Sequence, residues 1–262
     1  MTPPLRIAIG QLQMHWTIEA NMAALQRAIA FAAAKGAQVC CFSELAVTGF
    51  HRQIAALAKP ALVQPCLEAL ARSARQHRVA VAVGAPRFTG DGRILNSHVL
   101  LDETGAVAVV VDKIGLTAPE ATFFAAGSGR PVGRLQGWRC SAVICREVED
   151  LDDVALQLLP GAAQLLFWPG LMSPDPDKPP MDPPEHVQQA QRLAQRTHAW
   201  VVQANWPNAL NYPETSPGTG RSVVIAPDGN ILLALPPAAP GVGVFNLGSS
   251  TLDWHAEESL TP

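Results

Sequence analysis

Two kinds of segment alternate along this chain, and the alternation occurs twice. "LRIAIGQL" (5–12), "AQVCCFSE" (37–44), "RVAVAVGAP" (78–86), "ILNSHVLLD" (94–102) and "AVAVVVDKI" (106–114) are short, β-rich and bounded by turn residues. Between them lie Ala-rich stretches with helical spacing. "NMAALQRAIAFAAAKG" (21–36) begins at an Asn able to cap a helix and ends at a Gly suited to its C-terminus, with apolar residues at 22, 25, 29 and 32 on one stripe. "LVQPCLEALARSARQH" (62–77) reads as a second helix opening near Pro65 and ending in a basic turn. The order then recurs. "GAQVCCFSEL" (36–45) is echoed by "GAAQLLFWPGL" (161–171), and "VLLDETGAVAVV" (99–110) by "SVVIAPDGNILLAL" (222–235), at an offset of roughly 125 residues, too long for a solenoid. With the helical "EHVQQAQRLAQRTHAW" (185–200), two related halves of one α/β domain over residues 1–262 are expected, with helices flanking two sheets.

Composition removes several functions. With 48% hydrophobic and 16% charged residues, the 262-residue chain can bury a large core. A net charge of −3 offers no basic face for nucleic acid and no polybasic membrane patch. No apolar run is long enough to span a bilayer, and "MTPPLRIAIGQLQ" does not resemble a signal peptide. Five cysteines cannot all pair, so a reduced protein of the cytoplasm is expected. No phosphate-binding glycine loop occurs, the seven histidines are scattered, and no Cys or His pair has zinc-ligand spacing. The Pro-rich "WPGLMSPDPDKPPMDPPE" (168–185) reads as a rigid surface loop rather than a helix or central strand.

Three apolar runs end in chemically useful residues: Glu44 after "VCCFS", Lys113 after "AVAVVVD" and Cys145 after "SAVI". Strand carboxyl ends are the usual place for chemistry in α/β folds. Each residue alone is equally at home as an ordinary charged strand end or a small buried thiol. Together they supply a nucleophile, a base to take its proton and a cation to stabilise an oxyanion.

At these residues the chain resembles the nitrilase superfamily of carbon–nitrogen hydrolases. "GAQVCCFSELAVTGF" is similar to that family's glutamate segment, G-A-D-hhhh-P-E-L-x-x-T-G-Y, and "KIGLTAPEATFFAAG" to its lysine segment, K-x-x-L-x-x-x-E-x-x-x-F-x-x-G. "AVICREVEDLDDVALQLLPGAAQLLFWPG" resembles the nucleophile segment, and "VVQANWPN" and "GRSVVIAPDGNIL" resemble later motifs in the same order. Ser43 replaces a common Pro, Phe50 a common Tyr and Arg146 a common aromatic, and the F-P-E element is missing after "CREVEDLDD".

The resemblance implies a four-layer αββα sandwich with Glu44 as general base, Lys113 as oxyanion stabiliser, Cys145 as nucleophile and Glu120 orienting the lysine. It implies a second oxyanion contact from the Arg146 main-chain N–H, a structural role for Asn96, and no metal or organic cofactor. The expected reaction is hydrolysis of a small amide through a thioester, including an ω-amide or N-carbamoyl compound. A nitrile substrate, or a binding protein that keeps the fold without catalysis, are the alternatives. Trp168 and Trp206 are expected as pocket walls. The Arg146 side chain either binds a substrate carboxylate or is held by neighbouring acids such as Glu147, Glu149, Asp152 or Asp153. A homodimer, or a multiple of one, is expected through the helix carrying Val154, Leu158 and Leu159.

Overall fold

A computed structural model describes residues 5–173, 181–211, 213–214 and 218–260. The first half runs β1 (Arg6–Gln11), α1 (Ile18–Ala34), β2 (Val39–Phe42), α2 (Ile54–Leu57), α3 (Pro60–His77), β3 (Ala80–Phe88), β4 (Ile94–Leu101) and β5 (Val107–Asp112), with the short α4 (Ala118–Ala121) after it. The second runs β6 (Gly133–Leu135), β7 (Trp138–Ala142), α5 (Leu151–Leu158), β8 (Leu165–Gly170), α6 (Glu185–Thr197), β9 (Trp200–Asn205), β10 (Val223–Ile225) and β11 (Ile231–Ala234). β12 (Gly241–Asn246) and β13 (Asp253–Ala256) then return to the first sheet.

Among the described residues the strands form two sheets, ordered β13-β12-β1-β2-β3-β4-β5 and β11-β10-β9-β8-β7-β6. The repeat in the sequence is a repeat in topology. β1, β2 and β3 are parallel neighbours followed by antiparallel β4 and β5. β7, β8 and β9 are parallel neighbours followed by antiparallel β10 and β11. Strand alternation sorts the side chains into three apolar layers. Ile7, Cys41, Leu100, Cys140, Phe167 and Val202 meet between the sheets. Leu25, Ile29, Val63 and Leu70 of α1 and α3 cover the outside of the first sheet, and Val154, Leu158, Val187 and Leu193 of α5 and α6 cover the outside of the second. The expected αββα layering is present.

Local chemistry moved some boundaries. Thr17, not Asn21, caps α1, accepting from the Ala20 N–H at 3.2 Å, while the buried Asn21 side chain bonds both main-chain groups of His15. α3 opens at Pro60 and carries Pro65 inside it. The expectation of a loop over the whole Pro-rich segment is corrected at its start, where Trp168, Pro169 and Gly170 complete β8. β7 stops at Ala142, opposite Phe167, so beyond that point β8 is hydrogen-bonded on the β9 side only and a proline is tolerated as on an edge. Residues 174–180 of that segment lie outside the described residues. No helix among the described residues is long and apolar enough to cross a membrane.

Gly84 in β3 backs onto the turn that follows β2. A Cβ there would lie 2.7 Å from the Ser43 carbonyl oxygen and 2.8 Å from the Glu44 carbonyl carbon, both main-chain atoms that cannot swing aside. Gly84→Ala is therefore expected to lower thermal stability by roughly 1–3 kcal/mol, as overpacking does, and to displace Glu44. Thermal melts and activity assays on the purified variant check this; an unchanged melting temperature would contradict it.

Candidate active site

Glu44, Lys113 and Cys145 follow β2, β5 and β7, respectively, by one to three residues. Lys113 is completely buried, an arrangement that needs anionic partners. It has two. Its ammonium lies 2.8 Å from Glu44 Oε1 and 2.6 Å from Glu120 Oε1. Burial alone would depress the lysine; Glu44, Cys145 and Glu120 together outweigh that and hold it above its ordinary value. Asn96 Nδ2 donates to Glu44 Oε1 at 2.7 Å and reaches Glu120 Oε1 at 3.4 Å, so this asparagine joins the two carboxylates. Glu120 is fixed in turn by a capping box: Glu120 Oε2 accepts from the Thr117 N–H at 2.9 Å, and Thr117 Oγ1 accepts from the Glu120 N–H at 3.3 Å. The Phe50 ring centroid lies 5.9 Å from Lys113 Nζ.

Glu44 Oε2 is buried and has no hydrogen-bond partner among the described residues. Burial raises the Glu44 pKa, opposed by Lys113 and reinforced by Glu120. A buried carboxylate with one committed and one open oxygen is equipped to take a proton. Cys145 is half-buried beside this cluster and packs against the layer between the sheets. Burial pushes its thiol up to about 12, helped by Glu44 and opposed by Lys113 and the Leu171 main-chain N–H. Burial puts Cys40 and Cys140 at about 12 as well. A low thiol pKa is thus not what distinguishes Cys145; its distinction is an open carboxylate nearby. The arrangement suits attack by a neutral thiol that gives up its proton as it reacts.

Glu147, one of the acids the sequence offers as a partner for Arg146, pairs instead with Arg130 and is the most heavily used acceptor near the site. Its Oε1 takes the N–H groups of Ile114 (2.6 Å) and Gly115 (3.2 Å), and its Oε2 takes the Ile144 N–H (2.6 Å) and Arg130 Nη1 (2.9 Å). One buried side chain thereby ties the residues just after Lys113 to the residue just before Cys145. Arg130 is buried too and also donates to the Ala142 carbonyl at 2.6 Å. Only the position of Glu147, two residues past the thiol, hinted at this in the sequence.

The remaining residues singled out in sequence take other contacts. The Arg146 guanidinium is paired with Asp150 at 3.1 Å and Glu149 at 3.2 Å. Trp168 and Trp206 are both buried, and their indole N–H groups hold main-chain carbonyls, of Cys145 and Glu44 respectively, each at 2.9 Å. Among the described residues no group of three or more His, Cys, Asp or Glu side chains is placed to hold a metal ion.

The carbon–nitrogen hydrolase family profile matches residues 6–253. An amidase from Nesterenkonia sp. superposes with a TM-score of 0.81 at 25% identity, over 94% of this chain and 91% of that one. A mutant of the amidase from Nesterenkonia sp. AN1, in which acrylamide has added to the active-site cysteine, gives 0.80 at 25% identity over 92% of both chains. A complex of a cysteine-to-alanine mutant of that amidase with butyramide gives 0.80 at 24% identity, over 92% of this chain and 90% of that one. No match was found among curated protein sequences. The fold is that of nitrilase-superfamily amidases. The chain belongs to the carbon–nitrogen hydrolase family.

The Glu147 network makes a measurable commitment. Glu147→Gln leaves Arg130 a buried cation without its anion, and breaking a buried pair in this way costs roughly 3–5 kcal/mol. Urea unfolding of the variant is expected to show a loss of that order, with Glu147→Asp intermediate. Wild-type stability in Glu147→Gln would show that the network holds nothing in place.

Proposed function

We propose that this enzyme hydrolyses a small, uncharged aliphatic amide through a thioester on Cys145. The observation that carries the proposal is the buried Lys113 ammonium shared by Glu44 and Glu120 beside a half-buried thiol. The Cys145 sulfur adds to the amide carbon while its proton passes to the open oxygen of Glu44. The carbonyl oxygen becomes negative and is stabilised by the Lys113 ammonium and the Arg146 main-chain N–H. Collapse of this adduct expels ammonia, protonated from Glu44, and leaves the thioester. Water deprotonated by Glu44 then adds, the thiolate leaves and recovers a proton, and the carboxylic acid departs.

Support for an uncharged acyl group comes from three places. The Arg146 guanidinium is already occupied by Glu149 and Asp150, so it offers a substrate carboxylate little. Phe50 faces the ammonium, and the Met172 methyl lies close to Gly170 beside Cys145. A cysteine-to-alanine mutant of an amidase with the same fold binds butyramide.

Ammonia release from a series of short amides, with intact-mass detection of the acyl-enzyme, tests the reading. Cys145→Ser is expected to fold and lose nearly all turnover, because an alkoxide is much harder to form than a thiolate. Lys113→Met is expected to lower kcat/KM by about a hundredfold or more, the scale of losing one oxyanion donor. Turnover persisting in folded Cys145→Ser would end the proposal.

Assembly follows from the outer face of α5. Val154 and Leu158 are buried in its own layer, but Leu156 is 60% exposed and the neighbouring Leu159 70%. We propose that this face pairs two copies into a homodimer. Light scattering at micromolar concentration is expected to give twice the chain mass, and Leu156→Glu with Leu159→Glu to give the monomer. A monomeric wild type would rule the pairing out.

A further inference from the structure

Trp168 sits on the helix-facing side of β8, completely buried, among the side chains packed under α5 and α6. An indole N–H can only donate, so burying one without an acceptor would be costly. Its acceptor is the main-chain carbonyl of Cys145, at 2.9 Å. Cys145 itself packs on the opposite side, against the core between the sheets. Its backbone has φ of +52°, a left-handed conformation that a non-glycine residue adopts at a cost of about 1–3 kcal/mol and keeps only when its surroundings enforce it.

We propose that Trp168 is a positioning residue for the oxyanion site: by holding the Cys145 carbonyl, its indole fixes the Cys145–Arg146 peptide plane and aims the Arg146 N–H at the developing oxyanion. The proposal rests on the amide-hydrolysis reading above. The physical link is the rigidity of the peptide group. In a planar trans peptide the C=O and N–H bonds point in opposite directions. The carbonyl is drawn toward the helix-covered face, so the N–H on the same plane is turned to the face that carries the thiol. Arg146 is the second residue of the 3-10 turn Cys145–Glu149, where an N–H has no acceptor within the turn and is free for an incoming oxygen. Without the indole, a carbonyl at the start of a strained turn would be free to tilt, and the N–H would tilt with it.

Trp206 makes the corresponding bond to the Glu44 carbonyl, but the Glu44 carboxylate is independently held by Lys113 and Asn96 and does not depend on it. The Cys145 thiol meets the Leu171 main-chain N–H but has no comparable pair of charged and amide side chains holding it, which is why the inference is confined to Trp168.

The test compares two reactions of the same thiol. Amide hydrolysis passes through an oxyanion, whereas sulfenylation by methyl methanethiosulfonate does not, since the thiolate attacks sulfur and expels methanesulfinate. Hydrolysis by the unmodified enzyme is established first, so that failure of the functional reading is recognised separately. Trp168→Phe keeps an aromatic ring and removes the donor; benzothienylalanine at position 168, placed by amber suppression, keeps the full bicyclic shape and covers the case in which Phe misfolds. The expected result in either variant is a fall in kcat of tenfold or more, KM changed by less than about threefold, and sulfenylation of Cys145, read by peptide mass, within about twofold of wild type. Wild-type kcat in the benzothienylalanine protein would overturn the proposal. Parallel loss of hydrolysis and sulfenylation would overturn it as well, because Trp168 would then be placing the sulfur rather than the oxyanion donor.

Discussion

An ammonium with no access to water determines much of the architecture around it. Lys113 is tolerated in the interior because Glu44 and Glu120 lie within hydrogen-bond distance on two sides. Two carboxylates this close to each other would repel without the lysine between them. Beside this cluster burial pushes the Cys145 thiol up to about 12, with Glu44 adding to the effect and Lys113 opposing it. Asn96 and the Thr117 cap exist in service of this cluster: each gives a hydrogen bond to a carboxylate that water would otherwise solvate.

Local backbone chemistry carries the cluster to the strand ends. Lys113 extends the β4–β5 pairing by one rung, its N–H donating to the Asn96 carbonyl at 2.8 Å, so the same hydrogen bond that ends the sheet aligns the lysine with its asparagine. Glu44 stands where β2 has just ended, with Gly84 leaving room for the turn behind it. Leu45 and Cys145 both have left-handed φ, near +50°. The chain thus takes a left-handed step soon after β2 and after β7, whereas it leaves β5 by continuing the ladder.

Much of this was readable from sequence, for definable reasons. Glu44, Lys113 and Cys145 each interrupt an apolar run, and a polar residue where burial is otherwise continuous must be explained by partners or by chemistry. The half-to-half echo was readable because β-hairpins and buried parallel strands leave distinct hydropathy patterns. The work of Glu147, Arg130 and the two tryptophans was not readable. Their partners are main-chain groups, at Ile114, Gly115, Ala142, Cys145 and Glu44, and a main-chain donor or acceptor has no letter in a sequence. For Arg146 the sequence offers two partners, a substrate carboxylate or its own neighbouring acids; its i+3 and i+4 acids, Glu149 and Asp150, lie one helical turn on and pair with it.

The cluster and the thiol belong to different sheets. Asn96 lies in β4 of the first sheet and Glu44 and Lys113 follow its strands, whereas Cys145 follows β7 of the second, and the two sheets are held apart by the apolar layer of Ile7, Cys41, Leu100, Phe167 and Val202. The thickness of that oily layer therefore sets how far the carboxylates stand from the sulfur. A side chain buried there acts as a shim between the two sheets, and close packing makes even one methylene more or fewer felt. The spacing of acid and sulfur is thus a gauge of how tightly two halves of the chain are pressed together.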